Sequence, residues 1–229
     1  MNNDHEGHRQ RLKERFLESG IDDFEPHNVL ELLLFYAVPR KDTNLLAHDL
    51  INKFGSLSAV LEANPKDLMK VDGVGKNTAT FLSMIPQIAR KYFEDKTKED
   101  VIIRSCADLG KYLIPKYIGR TSEALMLIAM DGKNKILSCK VVSEGDVSSA
   151  RVSKRKIMEE AIRVNAAQIA LAHNHPSGIL IASAEDIDMT NGIKDMLAHV
   201  GIRFFDHIIV SNDNFISMVV SGVIKSNTK

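Results

Sequence analysis

Two histidines separated by one residue, His173 and His175, form the pattern in the sequence that is best suited to chemistry. In an extended chain residues i and i+2 project from the same face, so both imidazoles can reach one ion. A Pro-Ser-Gly turn follows, and the chain can return through Ser183, which can begin a helix with Asp186 in its first turn. Two imidazoles and one carboxylate form a three-ligand site that leaves a position open for water, as catalytic zinc requires.

The same residues have three other interpretations. A His-x-His pair can stand on a surface strand end without any metal. Ser183 and Asp186 also fit a helix N-cap with its capping partner, whether or not a metal binds. Two histidines and one carboxylate would suit a non-haem iron centre as well, so the residue types leave the metal open.

The spacing His-x-His, seven residues, Ser, two residues, Asp resembles that of the JAB/MPN metalloprotease (JAMM) superfamily. The sequence His-Asn-His-Pro-Ser-Gly from residue 173 resembles its bacterial RadC branch in particular. Similar residues occur elsewhere in RadC-like sequences, at Gly145, at Arg155, at 161–172, at 186–187 and at 206–209. The resemblance implies an α/β (α+β) domain of the cytidine-deaminase-like metallohydrolase type. It also implies a Zn²⁺ or other divalent cofactor and hydrolysis of an amide by metal-activated water.

The resemblance assigns two catalytic roles beside the ligands. A glutamate from an early strand serves the superfamily as general base, and Glu123 matches the RadC position for it. Glu144, just before a glycine, is the rival candidate. Ser183 resembles the superfamily serine that hydrogen-bonds the developing oxyanion, and it could cap the helix instead.

Three departures from the RadC pattern concern the surroundings of the site. Residues 179–183, Ile-Leu-Ile-Ala-Ser, replace a stiff polar loop, so the loop beside the metal is expected to differ in shape. Lys154 stands where a proline usually precedes the arginine, and Asp146 replaces a threonine. All three proposed ligands are retained.

His207 follows Asp206 at the end of an apolar run and could be an additional ligand or base. Because three ligands are already assigned, we favour a buried polar pair that supports the site or the fold.

The chain up to about residue 93 has apolar residues at helical spacing, which predicts an all-α domain. Its segment 68–76, with Gly73, Gly75 and Lys76, resembles the helix-hairpin-helix element of DNA-binding proteins. Such a turn can present backbone N–H groups to a phosphate. Residues 1–98 contain 14 Lys and Arg against 15 Asp and Glu, so this domain offers no broad basic face. A tight turn that only packs two helices is the alternative.

Short apolar runs and helical stretches alternate after residue 100. The runs 124–130 and 136–142, separated by Asp-Gly-Lys-Asn, predict an antiparallel hairpin. Further strands are expected at 168–172, 202–210 and 215–220, and helices at 105–118, 153–165 and 184–199. The segment 94–100 has no apolar residue. We therefore place a boundary there, between a helical domain at 1–98 and a RadC-like metal-binding domain at 99–229.

The overall composition excludes some classes of protein. The 229 residues include 30 Lys and Arg and 30 Asp and Glu, so no global positive field attracts nucleic acid. No apolar stretch approaches the ~20 residues needed to span a membrane. Two cysteines and no charged-then-apolar leader indicate a reducing, cytoplasmic setting.

Two functions compete on this evidence, and an iron oxygenase is a distant third. The leading hypothesis is a zinc metallopeptidase or isopeptidase that acts on a peptide or protein conjugate, and an extended peptide could add to a strand edge. The second is a non-enzymatic DNA-repair accessory module with a structural metal, a hypothesis prompted by the traditional family name. The substrate and the oligomeric state are not predicted.

Overall fold

The computed structural model describes residues 3–39, 41–96, 101–145 and 153–225. The chain divides into two compact units, Met1–Ile88 and Ala89–Lys229. The domain boundary expected at residues 98 and 99 falls in 97–100, outside the described residues, and so stays a prediction.

The first unit is helical, as the 3.6-residue spacing of its apolar side chains predicts. Its helices are α1 (Asn3–Ser19), α2 (Pro26–Ala37), α3 (Asn44–Phe54), α4 (Leu57–Glu62), α5 (Pro65–Leu68) and the first part of α6 (Lys76–Lys96). The main core of this unit contains the fully buried leucines Leu30, Leu34, Leu50, Leu68 and Leu82. A smaller cluster joins Leu12 of α1 to Phe24, Leu32 and Phe35. The all-α prediction for this half of the chain is confirmed.

The second unit is a mixed α/β sheet domain. Its elements are α7 (Cys106–Tyr117), β1 (Ala124–Met130), β2 (Ile136–Glu144), α8 (Lys154–Arg163), β3 (Gln168–Asn174), α9 (Ala184–Ala198), β4 (Arg203–Ser211) and β5 (Asn214–Ser217). The strand order is β2-β1-β3-β4-β5. Strands β3 and β4 run parallel, and the other neighbours pair antiparallel, including the predicted β1–β2 hairpin.

Helices cover both faces of the sheet, which explains why β1 and β3 are buried at every position and why β1 is apolar throughout. One core lies on the face covered by α8 and α9 and includes Leu125 and Leu171. The core on the opposite face includes residues of α7, together with Ala124 and Ala172. Alternate residues of one strand therefore face different helices, and this alternation decides which side chains can reach the site.

The last predicted strand, 215–220, is shorter than expected. Strand β5 ends at Ser217, and the chain then turns because the buried Asp206 carboxylate accepts a hydrogen bond from the Val219 N–H (3.1 Å). The Ser217 hydroxyl caps the turn by accepting from the Val220 N–H (2.9 Å). A long-range carboxylate, rather than local propensity, ends this strand.

Among the described residues no helix combines the length and the apolar character that a bilayer span demands. This agrees with the short apolar runs of the sequence.

Two helical glycines give a matched test of the packing around the sheet. A Cβ atom on Gly110 of α7 would overlap the ring of Phe215 on β5, whereas one on Gly192 of α9 would meet the flexible end of Lys154 (Nζ at 2.6 Å). Alanine usually stabilises a helix interior over glycine by about 0.8–1.0 kcal/mol. We expect Gly192→Ala to keep that gain. Gly110→Ala should instead lose about 1–2 kcal/mol to overpacking.

Urea unfolding followed by far-UV circular dichroism measures both changes in the free energy of unfolding. Equal stabilisation by the two substitutions would contradict the close contact between α7 and β5.

Candidate metal centre

The three side chains that the sequence predicts as ligands meet at the end of strand β3. The Nε2 atoms of His173 and His175 lie 2.8 Å apart, and the Asp186 carboxylate approaches them at 3.3 Å and 3.7 Å. One ligand atom from each residue lies within 4.8 Å of the other two, so the group could hold a metal ion. His173 and Asp186 are buried, and the His175 side chain is 14% exposed, so the group opens towards solvent at His175.

The backbone holds His175 although β3 ends one residue before it. The His175 N–H donates to the Val210 carbonyl (2.9 Å), and the Ser211 hydroxyl donates to the His175 carbonyl (3.0 Å). Strand β4 thus continues the pairing past the end of β3. The two histidines keep the i, i+2 relation of an extended chain as a result.

A capping box at the start of α9 orients Asp186. The Ser183 N–H and hydroxyl both donate to Asp186 Oδ2 (2.8 and 2.7 Å), and the Asp186 N–H donates back to Ser183 Oγ (3.1 Å). Because both serine donors are on Oδ2, Oδ1 faces His173 without accepting from Ser183. The capping interpretation of these two residues therefore holds together with the ligand interpretation.

The outer nitrogen of each imidazole has a partner in the protein. His175 Nδ1 lies 2.7 Å from the carbonyl oxygen of Ile179, which can only accept, so Nδ1 carries the proton. His173 Nδ1 lies 2.8 Å from Nε2 of His207, a fully buried residue. Such contacts behind ligating histidines are common in metal sites.

Charge and burial act against each other at this group. Burial alone would raise the pKa of the Asp186 carboxyl, but hydrogen bonds with His173, His175 and Ser183 outweigh it and hold that pKa well below its ordinary value. Hydrogen bonding with Asp186 raises the pKa of His175 in spite of burial, and the charge of Glu123 acts in the same direction. Burial lowers the pKa of His207 well below its ordinary value, so this ring is neutral. An Asp186 carboxylate that stays ionised and a His175 ring that favours a proton both indicate a group that stabilises positive charge.

Glu123 lies on the same face of the sheet as the histidines. Leu125 pairs with His173, and the same register continued for two residues sets Glu123 across from His175. Glu144 instead pairs with Ala124, whose side chain belongs to the opposite core, and its carboxylate lies 3.0 Å from Arg120. This geometry supports Glu123 over Glu144, and the role of general base stays a proposal.

Asn174, between the two histidines, is a site residue that the sequence analysis missed. Its side-chain oxygen accepts from the Ala124 N–H (2.8 Å), and its amide donates to the Ser122 carbonyl (3.1 Å). The buried amide thus holds the backbone on both sides of Glu123. Only the antiparallel pairing of β1 with β3 brings these residues together, and local sequence carries no signal of it.

Asp206 and His207 are both buried, as expected for a supporting pair, but they have separate partners. Ile169 pairs with Phe204 while Leu171 pairs with His207, so β4 contains one extra residue between them. This bulge turns His207 towards His173, whereas the Ser217 hydroxyl and the His207 N–H donate to the Asp206 carboxylate. His207 supports a ligand, and Asp206 supports the turn after β5.

In the segment 179–183, which departs from the RadC pattern, successive side chains alternate between the core and solvent. Leu180 and Ala182 pack on the core, while Ile179 and Ile181 are 56% and 70% exposed. Apolar side chains therefore border the metal centre where a polar loop is usual. Of the other departures, Lys154 begins α8, and Asp146 lies outside the described residues.

Gly73, Gly75 and Lys76 belong to the first unit, whereas the three candidate ligands belong to the second. Gly73 and Gly75 lie between α5 and α6, and Lys76 is the first residue of α6. Gly73 takes φ +87°, and Val71 and Val74 pack in the core. The turn borders a depression lined by Lys41 and residues 69–75. Two helices joined by a tight turn are present, and their identity as a DNA-binding helix-hairpin-helix stays a prediction.

Comparison with known proteins agrees with a mixed α/β domain that carries a His-His-Asp group. The family model of the RadC-like JAB domain matches residues 103–223, which include all three candidate ligands. A UPF0758 protein of Fusobacterium nucleatum subsp. nucleatum is 36% identical over 228 residues, 96% of this chain and 98% of that protein. A UPF0758 protein of Carboxydothermus hydrogenoformans is 32% identical over 208 residues, 91% and 92% of the two chains. The chain belongs to the RadC-like JAB family.

Proposed function

We propose that the second unit is a metal-dependent hydrolase, and specifically a zinc metallopeptidase or isopeptidase that cleaves an amide bond in a peptide or protein conjugate. The observation that carries this proposal is the 2.8 Å separation of two imidazole Nε2 atoms beside a carboxylate, in a group that opens to solvent at His175. Membership of the RadC-like JAB family supports it. The free thiols of Cys106 and Cys139 fit the cytoplasmic setting that we propose.

The donor set fits the cofactor, because two neutral imidazoles and one carboxylate are a usual ligand set of catalytic zinc. His173, His175 and Asp186 would hold the ion. A bound Zn²⁺ lowers the pKa of a water ligand to about 7 and polarises a carbonyl oxygen. Two imidazoles and a carboxylate also suit iron, which is why the metal must be identified by measurement.

The chain itself would handle the protons and orient the substrate. Glu123 would take a proton from the attacking water and deliver it to the leaving amine, which requires a carboxylate held within hydrogen-bond reach. Asn174 would hold Glu123 in place through the backbone of residues 122 and 124. The Ser183 hydroxyl would donate to the oxygen of the substrate carbonyl as charge develops there.

Removal of one ligand should abolish tight metal binding. We expect His175→Ala to lower Zn²⁺ affinity by more than the 10- to 100-fold typical of supporting residues, because the substitution removes a donor atom. Competition with a chromophoric chelator measures the dissociation constant. His199→Ala is the matched control, since His199 lies exposed at the end of α9, where its Nδ1 contacts the Asp195 carbonyl (2.7 Å). Equal zinc affinity in His175→Ala and wild type would refute the metal centre.

Substitution of each glutamate tests which of them is the general base. We expect Glu123→Gln to reduce turnover about 10²- to 10⁴-fold, the usual contribution of general acid–base catalysis, and to leave zinc affinity near the wild-type value. Glu144→Gln should retain wild-type turnover because Glu144 lies on the other face of the sheet with Arg120.

The assay uses zinc-loaded protein and a quenched fluorescent library that contains both α-linked peptides and ε-linked lysine isopeptides. No cleavage by the wild type, or equal rates in Glu123→Gln and wild type, would count against the peptidase.

A DNA-associated role for the first unit is the second candidate function. The depression beside the Gly73 turn favours it, because Lys41, Lys70 and the turn residues up to Gly75 line one concave surface. Lys70 is already paired with Asp67 (2.7 Å). Lys76 directly follows the turn as the first residue of α6, where backbone N–H groups are free of helical partners, so it is the cation to test. Backbone N–H groups and one lysine would contact a phosphate without reading sequence.

Replacement of Lys76 should weaken DNA binding if this turn contacts a phosphate. We expect Lys76→Gln to reduce the slope of log affinity against log salt by about 0.9, whereas Lys66→Gln on α5 should leave it unchanged. Fluorescence anisotropy with a labelled short duplex measures the slope. Absence of wild-type binding at low ionic strength would exclude this role.

A further inference from the structure

A histidine can bind a cation only through a nitrogen that carries no proton, so the proton of each ligand must be held on its other nitrogen. For His175 the Ile179 carbonyl does this directly. For His173 the outer nitrogen faces another imidazole, that of His207, which can either donate or accept. The protonation pattern of His173 therefore depends on what holds the proton of His207.

Thr190 on α9 determines the proton position on His207. The Thr190 Oγ1 atom lies 2.6 Å from the Asp186 carbonyl oxygen and 2.6 Å from Nδ1 of His207, and Thr190 is fully buried. The hydroxyl has one proton to share between these two contacts. If that proton pointed to His207, two oxygen atoms would remain in contact at 2.6 Å with no proton between them. The hydroxyl therefore donates to the Asp186 carbonyl and accepts from the His207 Nδ1–H.

The remaining proton positions follow from the burial of His207. Its ring is fully buried, and its ring partners among the described residues, Thr190 and His173, include no carboxylate that could pair with a charged ring. With its proton on Nδ1, its Nε2 atom can only accept, so the 2.8 Å contact requires the Nδ1–H of His173 as donor. His173 then presents an unprotonated Nε2 towards His175 and Asp186. The Asp186 carbonyl can only accept, so it sets the direction of the Thr190 hydroxyl. The hydroxyl in turn sets the proton of His207, and His207 sets the proton of His173.

We propose that Thr190 and His207 form a positioning relay that keeps the proton of His173 on Nδ1 and so presents its Nε2 atom to the metal ion. The relay rests on the proposed metal centre but not on hydrolysis. It begins at the main chain of one ligand, Asp186, and ends at the ring of another, His173. The orientation of α9 against β3 and β4 is thereby coupled to the protonation pattern of the site.

Replacement of Thr190 by valine removes the hydroxyl that holds the His207 proton on Nδ1, and it keeps the shape of the side chain. In Thr190→Val the His207 Nδ1–H has no acceptor, so His207 can move its proton to Nε2 and donate to His173, whose own proton then occupies Nε2. We expect zinc affinity to fall 10- to 100-fold, as for other supporting residues of metal sites. Thr190→Ser keeps the hydroxyl and should restore affinity. Thr78→Val removes a buried helical threonine in the first unit and should leave zinc affinity unchanged.

Chelator competition with Zn²⁺ gives the affinities, and long-range ¹H–¹⁵N correlation of the histidine rings in zinc-free protein gives the tautomers. A relay requires Nδ1–H on His207 in the wild type and a shift towards Nε2–H in Thr190→Val. A structural role alone would not change the tautomer.

Wild-type affinity in Thr190→Val, or Nε2–H on His207 in the wild type, would overturn the relay. Absence of zinc binding by the wild type would instead refute the metal centre. The His207 tautomer is read without zinc, so the wild-type spectrum stays informative even if Thr190→Val fails to fold.

Discussion

Two imidazole nitrogens that both carry lone pairs cannot remain 2.8 Å apart in a protein interior unless positive charge lies between them. The arrangement of side chains around His173 and His175 depends on this constraint. His173 is fully buried, and the partly exposed ring of His175 is held in place by the hydrogen bond between its Nδ1 atom and the Ile179 carbonyl, so the two rings stay together. A proton or a metal ion satisfies the pair, and the carboxylate of Asp186 neutralises the added charge. The surrounding hydrogen bonds determine which nitrogens point inwards.

The parts of this arrangement that depend on neighbouring residues are predictable from sequence. Spacing of two along a strand sets His173 and His175 on one face, and a serine three residues before an aspartate predicts a capping box. The short apolar runs within β1 and β3 predict strands, and the Asp-Gly-Lys-Asn segment predicts the antiparallel pairing of β1 with β2. The all-helical first half follows from spacing alone. Each of these features can be predicted without knowing which residues pair across the sheet.

The parts that depend on register are not predictable in this way. Asn174 contacts residues about fifty positions earlier, and nothing near it in sequence identifies Ser122 and Ala124 as its partners. His207 and Asp206 look like one polar pair, yet the extra residue in β4 separates their roles, because a shift of one residue sends a side chain to the other face of the sheet. The resemblance favours Glu123 over Glu144, but local sequence alone does not separate them, for the same reason. A glutamate at either strand end fits the sequence, and only the pairing shows which face each one occupies.

Ser183 shows how one side chain can serve both the fold and the proposed reaction. Its hydroxyl accepts from the Asp186 N–H, which caps α9, and donates to Asp186 Oδ2. Only the second contact uses the hydroxyl proton, and Oδ2 also receives the Ser183 N–H. A cation at Asp186 would withdraw charge from the carboxylate and weaken the hydroxyl contact, while the cap itself would stay intact. The proton could then turn to a substrate carbonyl without any change in the helix. The capping box and the proposed oxyanion contact are therefore compatible, because they use different parts of the same hydroxyl group.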